Sequence, residues 1–237
     1  MRKAEMTAED DWEDSAESSS QGPFEKTYRG LMRALYEGRF IPGQRLIAPD
    51  LMRYFGVGRG TIREVLNRLA SSGVVTIVPN RGAQVRELSR REVGDVLEIV
   101  EVLLGLAARG AATAIEARGA RVRLRELHDA LRPDAASGDA FPQFLRAREN
   151  YYRYIVQLSG NQELQRLFPA AQVHIMRVQL RNFGRAADAA HVDDFAELTE
   201  AILSGDAEGA EAAGRRHVGY TRQRVAQLPD RAFARDE

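Results

Sequence analysis

The pattern of apolar and polar positions between residues 24 and 87 predicts three helices followed by a β-hairpin. Apolar residues recur every three or four positions in 24–39 and again in 60–72, which is typical of amphipathic helices. A shorter helix is predicted at 49–55, because its proline suits the first helical position. Gly73 is placed as a helix-ending glycine. Two strands, 74–78 and 83–87, follow it and are joined by a tight turn.

Beyond residue 88 the apolar positions keep a helical period, so the rest of the chain is predicted to be all-helical. Ser89 is a suitable N-cap for a long helix that reaches about residue 117. Further helices are predicted at 120–131, 141–158, 161–183 with a bend at Pro169, 192–203 and 206–227. The predicted fold class is therefore mainly α, with an N-terminal winged helix-turn-helix and a C-terminal all-helical bundle.

Four segments follow from these patterns. Residues 1–22 are acidic, lack apolar periodicity and end in a run of serines, so they are predicted to form a disordered arm. Residues 23–87 form the first domain, 88–228 form the second, and 229–237 are treated as a tail.

The charged residues are unevenly distributed along the chain. The 34 basic and 34 acidic residues cancel overall, but residues 24–86 carry eleven bases and four acids, a net charge of +7. Residues 1–23 have a net charge of −5. A basic block of this size is typical of a module that binds a polyanion.

In a winged helix-turn-helix the third helix enters the DNA major groove and the hairpin tip touches the backbone or the minor groove. Arginine recognises guanine or phosphate, and threonine contacts phosphate or a thymine methyl group. The predicted DNA-binding residues are Arg59, Thr61, Arg63, Asn67 and Arg68 on the third helix, with Asn80, Arg81 and Gly82 in the turn. The alternative is an ordinary solvated face in which Arg63 pairs with a neighbouring acid.

Composition excludes several other classes of protein. The chain has no cysteine, which excludes disulfide scaffolds, thiolate catalysis and cysteine-ligated metals. Its acidic start is unlike a signal peptide, and no apolar stretch is long enough to span a bilayer. A cytoplasmic protein without a membrane partner is expected. We expect no enzymatic activity, because the chain has no glycine-rich phosphate loop, nucleophile elbow or HExxH motif.

Three motifs in the basic block resemble the GntR family of bacterial transcription regulators. They are PGQRL at 42–46, GVGRGTIREVLNRL at 56–69 and NRGAQV at 80–85. The resemblance implies DNA contacts from Arg59, Thr61, Arg63 and Gly82. The chain departs from the family at Gly58, at Gly60-Thr61 and at Pro49, where an arginine that touches phosphate is common.

Two later motifs, LSGN at 158–161 and AILSGD at 201–206, resemble the FCD domain of the FadR-like branch of that family. The resemblance implies a pocket for a small carboxylate beside a metal held by one aspartate and three histidines. Those four positions fall on Arg148, Tyr152, Phe195 and His217. Only His217 matches the residue type that the family uses to bind the metal. No metal and no other cofactor is therefore expected.

The replaced positions predict a pocket that is more aromatic and apolar than is usual in the family. Val100 and Leu104 stand where an arginine and a glutamate are common. The predicted effector-binding residues are Arg148, Tyr152, Phe195, His217, Val100 and Arg177. A buried arginine needs a partner, so an anionic effector is expected at Arg148. The alternatives are an ion pair from Arg148 to Glu149, to Glu101 or to another internal acid, or simple exposure.

The other histidines lie away from the family's ligand positions. If the family's ligand positions are matched one helical turn away, Glu149 or His174 falls at the site. His128 and His191 have no histidine four residues away with which to share a metal. We expect each of the three histidines to have an ordinary structural role.

These observations predict a homodimeric transcription regulator. It is expected to be a repressor that binds double-stranded DNA at a short palindromic operator. Its expected effector is an anionic metabolite with an apolar part. The alternatives are a metal-dependent FCD regulator that senses a small carboxylate and a winged-helix module used in protein assembly.

Overall fold

The computed structural model describes residues 22–36, 39–78, 82–131, 141–168, 173, 176, 179–180 and 191–235. Contacts divide the chain into two compact units, Met1–Glu87 and Leu88–Glu237. The described residues are mainly helical, with a small antiparallel sheet in the first unit. This confirms the predicted fold class. The acidic arm predicted at residues 1–22 lies outside the described residues except for Gly22.

The first unit contains the predicted three helices and hairpin. Its elements are α1 (Pro23–Tyr36), β1 (Arg45–Leu46), α2 (Ala48–Phe55), α3 (Arg59–Ser71), β2 (Val75–Val78) and β3 (Gly82–Val85). The sheet order is β1-β3-β2. Strand β1 was not predicted, because two residues are too few to show the alternation of a strand. It is held by long-range pairing of Arg45 with Gln84 and of Leu46 with Ala83.

Helix α3 buries one face and exposes the other. Its apolar residues, Ile62, Val65, Leu66 and Leu69, are all buried, as the periodicity predicts, and the helix packs against α1 and α2. The wing depends on Gly82, whose φ of +90° favours glycine. A Cβ atom there would lie 2.7 Å from the carbonyl oxygen of Leu46, so a larger residue would push β1 away from β3.

The second unit is helical throughout its described part, apart from turns. Its helices are α4 (Arg90–Thr113), α5 (Ala120–Asp129), α6 (Phe141–Leu158), α7 (Gln162–Leu167), α8 (His191–Leu203), α9 (Ala207–Ala226) and the 3₁₀ turn Asp230–Ala232. Residues 173, 176, 179 and 180 are also helical. Ser89 caps α4 as predicted and forms a capping box with Glu92.

Helix α4 packs along α9 through small side chains. Ala107, Ala108 and Ala111 are buried on α4, and a Cβ atom on Gly214 of α9 would lie 3.0 Å from the carbonyl oxygen of Leu104. Small residues let the two backbones approach closely, which explains why alanine is so common in α4. In the part of the chain that the structure describes, no helix is both long and apolar enough to cross a membrane.

Two predicted segments differ in the structure. The helix predicted at 161–183 is interrupted, since α7 ends at Leu167 and Phe168 has an extended ψ of 117°. A residue that precedes proline is disfavoured in the helical region, and Pro169 follows. The segment treated as a tail is packed: Ala232 and Phe233 are buried, and Ala234 bridges to Ser89. The charged residues of 229–237 suggested an exposed segment, and the backbone contacts of Ala234 leave no sign in the sequence.

Candidate functional sites

The outward face of α3 carries the residues predicted to contact DNA. Arg59, Arg63, Asn67 and Arg68 are exposed, and Thr61 is half-buried. Residues 59, 63 and 67 are spaced by four, so they form one stripe along the helix.

The arginines of this face have no acidic partner among the residues that the structure describes. In the described residues, no carboxylate forms an ion pair with Arg59, Arg63 or Arg68. The alternative in which a neighbouring acid neutralises Arg63 is therefore wrong for this part of the chain. The first turn of α3 also contains no acidic residue, so its positive N-terminal dipole adds to the arginine charges.

The wing is described only in part. Gly82 pairs with Val78 at the end of the hairpin, where its left-handed backbone closes the strand pair. Asn80 and Arg81, the other two predicted wing contacts, lie outside the described residues.

Four of the predicted effector-binding residues are brought together by α6, α8 and α9. An Nη2 group of Arg148 donates to the Tyr152 hydroxyl at 3.3 Å, and that hydroxyl lies 2.6 Å from Nε2 of His217. The Phe195 ring is 4.7 Å from the His217 ring. The guanidinium carbon of Arg148 lies 5.1 Å from the Phe195 ring centroid, within range of a cation–π interaction.

Arg148 is a buried cation, and only 2% of its surface is exposed. Its Nε and Nη1 atoms are buried without a hydrogen-bond acceptor among the described residues. The proposed internal partners are engaged elsewhere, because Glu149 pairs with Arg153 and Glu101 pairs with Arg222 at 3.1 Å. No other acid among the described residues pairs with Arg148 either, so an internal ion pair and simple exposure are both wrong for this part of the chain. A buried charge without a counterion costs several kcal/mol.

The hydrogen bonds around His217 define its tautomer. The Asp194 carbonyl oxygen beside Nδ1 can only accept, so in the neutral ring the hydrogen is on Nδ1 and Nε2 accepts from the Tyr152 hydroxyl, whose oxygen in turn accepts from Arg148. Nδ1 of His217 then carries the hydrogen and donates to the Asp194 carbonyl oxygen at 3.2 Å. Both ring nitrogens are occupied, and the lone pair that a metal would use is taken by Tyr152.

The residues at the family's ligand positions do not fit a metal. Phenylalanine has no donor atom, and a cation beside Arg148 would meet a like charge in a poorly screened site. In the described ranges, no group of three or more histidine or acidic side chains is placed to hold an ion.

Sequence reasoning missed four residues that complete this site. Phe144 lies 6.0 Å from the guanidinium carbon of Arg148, and Asp194 supports His217. Tyr151 is fully buried and its hydroxyl lies 2.7 Å from the Thr199 hydroxyl; burial raises the pKa of Tyr151, so the hydroxyl stays protonated. The spacing of 144, 148 and 151 on α6 was the available signal. Asp194 and Thr199 lie on another helix, α8, and no sequence pattern linked them to this site.

The remaining effector-site predictions divide into two groups. Val100 is buried on α4, which packs against α6 and α9, so it belongs to the apolar interior of this unit. Arg177 and His174 lie outside the described residues, and so does the His191 side chain. His128 lies on α5, 3.6 Å from Asp129.

The chain belongs to the GntR family. Residues 23–85 match the family of bacterial regulatory proteins named gntR, and residues 95–220, more than half of the chain, match the FCD domain. The protein is therefore a transcription regulator with an N-terminal helix-turn-helix domain and a C-terminal FCD domain.

Individual relatives are distant. The chain is 24% identical to the transcriptional regulator YdhC of Bacillus subtilis over 156 residues, which cover 64% of this chain and 68% of YdhC. It is 31% identical to the transcriptional repressor GlaR of Escherichia coli over 71 residues, which cover 30% of this chain and 32% of GlaR. The solved structure of E. coli McbR/YncC shares the fold, with a TM-score of 0.74, 21% identity and coverage of 87% of this chain and 98% of that one.

Proposed function

We propose that this protein is a repressor that binds a short palindromic operator through α3 and the wing. The observation that carries the proposal is the exposed stripe of Arg59, Arg63 and Asn67, whose arginines have no internal counterion among the described residues. The similarity to the repressor GlaR supports the same direction of control. We propose that it acts in the cytoplasm, because that is where a bacterial regulator meets its DNA.

The decisive experiment is a mobility shift with genomic DNA fragments at several salt concentrations. Phosphate contacts release counterions, so the logarithm of the affinity falls linearly with the logarithm of the salt concentration. Specific binding with that dependence supports the proposal. Binding that is absent at low salt contradicts it and favours the protein-assembly alternative.

The helical unit supplies the proposed control by a small molecule. Arg148 presents three N–H groups on Nε and Nη1 that no described residue accepts, and three aromatic rings lie within about 6 Å of its guanidinium. A carboxylate or phosphate satisfies the charge and the donors together, with a forked geometry that arginine favours. The effector is therefore an anionic metabolite, and its apolar part contacts the aromatic wall.

We propose further that the effector binds without a metal. Protein purified without added metal or chelator is expected to contain far less than one zinc or nickel per chain by elemental analysis. The control is the variant that combines Arg148→Asp, Tyr152→His and Phe195→His beside His217, which restores the family's ligand set. That variant is expected to bind one divalent ion per chain. Stoichiometric metal in the unaltered helical unit would instead support the metal-dependent alternative.

We propose that the protein acts as a homodimer joined along α4. Ile99, Val102 and Leu106 are 57%, 46% and 44% exposed, although large aliphatic side chains favour burial. With Asp95 and Arg109 they are spaced by four and three, which is the spacing of a two-helix seam.

A second copy fits this seam because its charges are self-complementary. If a two-fold axis crosses α4 at Val102, the two helices run antiparallel. Asp95 then lies seven residues to one side and faces Arg109 of the other copy, whose guanidinium also binds Glu211 within its own chain. Ile99 of one copy lies within one residue of the level of Leu106 of the other. A closed pair of this kind uses one patch twice, and it presents two DNA-binding units to a palindrome.

Val102→Cys tests the seam cleanly, because the chain has no cysteine of its own. Under mild oxidation the variant is expected to form a disulfide-linked dimer, since the two residues meet at the axis. Thr113→Cys is the matched control: it lies on the same helix about 16 Å from the axis, so it should stay reduced. A dimer in analytical ultracentrifugation that crosslinks equally well at both positions would place the interface elsewhere. A monomer at micromolar concentration that binds operator tightly would contradict the dimer itself.

A further inference from the structure

Residues 228–234, which follow α9, form a clamp with Gln179 around the first residues of the helical unit. We call this group the C-terminal clamp. The N–H group of Leu88 donates to the Gln179 side-chain oxygen at 2.7 Å. The Gln179 amide nitrogen donates back to the Leu88 carbonyl at 2.7 Å and to the Ala232 carbonyl at 3.0 Å. The Ala234 N–H group also donates to the Leu88 carbonyl. Both backbone groups of Leu88 are thus held.

Arg90 holds the other side of the clamp. Its guanidinium donates to the carbonyl oxygens of Val225, Ala226 and Leu228 at 3.4, 3.2 and 2.6 Å, so it caps the end of α9, where carbonyl groups lack helical partners. The same guanidinium lies 4.3 Å above the Phe233 ring. The position of the Arg90 side chain is therefore defined both by α9 and by the clamp.

The clamp holds the residue at which the helical unit begins. Leu88 is the first residue of the helical unit and directly follows Glu87, the last residue of the DNA-binding unit. With Leu88 and Arg90 held, the helical unit is ordered from its first residue. Two linked binding modules gain affinity from a short, stiff connection, because less freedom is lost when both engage their sites.

We propose that the C-terminal clamp fixes the attachment point of the DNA-binding unit and thereby sets the affinity for a two-half-site operator. The inference rests on the proposed operator binding by a dimer and deepens it. Arg90 caps the end of α9, which is also the helix that carries His217 of the effector site.

Three full-length variants test the proposal. Arg90→Met removes the donors but keeps an aliphatic side chain of similar length. Gln179→Glu keeps the size of the side chain and the acceptor for Leu88, but it loses the donor to two carbonyl oxygens. Asp230→Asn is the matched control, because Asp230 contacts Arg90 at 2.9 Å while its side chain is fully exposed, and an exposed pair contributes little.

The probe is a palindromic duplex selected from random DNA on the unaltered protein, compared with the same duplex after one half-site has been scrambled. Arg90→Met and Gln179→Glu are expected to bind the palindrome roughly tenfold more weakly and the half-site equally well. The Asp230→Asn variant is expected to match the unaltered protein on both duplexes. Hydrogen exchange at the amides of Leu88 and Ala234 should be faster in the first two variants only.

The outcomes separate the two proposals. If selection recovers no DNA, the proposed function fails, whatever the exchange rates are. If the unaltered protein binds DNA, the clamp proposal is overturned by equal palindrome affinity in all variants, or by equal loss on palindrome and half-site. Circular dichroism identifies an unfolded variant. In that case Arg90→Lys, which keeps the charge and the contact with Phe233 but cannot reach all three carbonyls, takes its place under the same criteria.

Discussion

Alanine at Arg59 or Arg63 is expected to weaken operator binding by about 1–3 kcal/mol, or roughly five- to 150-fold. The reason is that both side chains project from the exposed face of α3 without a counterion in the described part of the chain, so their donors are available to DNA. The two losses should differ in kind. An arginine that reads a base relaxes the preference at one base pair, whereas one that binds phosphate weakens all sequences alike and lowers the salt slope by about one.

The measurement is a titration of each variant on the selected operator and on its single-base variants at several salt concentrations. Arg123→Ala on α5 is the matched control, because it removes one exposed positive charge from the helical unit. It should leave operator affinity nearly unchanged at moderate salt. If Arg59→Ala and Arg63→Ala also leave affinity unchanged, α3 is not the recognition helix and the central proposal fails.

Arg148→Met is expected to stabilise the ligand-free protein and to abolish effector binding. Methionine fills a similar volume without a charge, so the substitution removes a buried cation that has no counterion among the described residues. Because desolvation of one buried ion costs several kcal/mol, the free energy of unfolding of the helical unit is expected to rise by about 1–4 kcal/mol after the lost hydrogen bond to Tyr152 is subtracted. Tyr152 keeps its bond to His217 in the variant, so the rest of the site should stay folded.

Thermal and denaturant unfolding measure the increase in the free energy of unfolding of the Arg148→Met variant. The loss is measured by a thermal-shift screen of carboxylates, phosphorylated metabolites and acyl-CoA thioesters, since a ligand at one hundred times its Kd stabilises by about 2.7 kcal/mol. Arg148→Lys is the control, because lysine keeps the positive charge but lacks the planar guanidinium group. This variant should show no gain in the free energy of unfolding and should bind anions only weakly. A Met variant that unfolds more easily than the unaltered protein would contradict the prediction that the charge of Arg148 is uncompensated in the ligand-free protein.

The architecture of the DNA-binding unit was predictable because its signals are local. Helix periodicity, the proline at the start of α2 and the glycine after α3 each act over a few residues. The same holds for Ser89, the predicted N-cap of α4 in the helical unit, which acts on the first turn of its helix. Strand β1 escaped prediction because its two residues are defined by pairing with β3, a long-range contact that leaves no periodic pattern.

Only some of the contacts in the effector site could be predicted from the sequence. Arg148 and Tyr152 lie one turn apart on α6, so their proximity follows from the period of a helix. His217 is 65 residues beyond Tyr152, and only the resemblance to the FCD domain placed it at the same site. Asp194 supports His217 through a backbone carbonyl, a contact that the residue type does not indicate.

The sequence by itself determined the class of protein, the order of its elements and the polar face of α3, because these depend on periodicity and on spacings within a motif. Only the tertiary structure decided that Arg148 is buried while Glu149 and Glu101 pair with other arginines, since the choice among partners depends on which helices pack together. It also decided that the C-terminal residues clamp Leu88. Gln179 lies 91 residues from Leu88, and the bonds run largely to backbone groups that every residue carries.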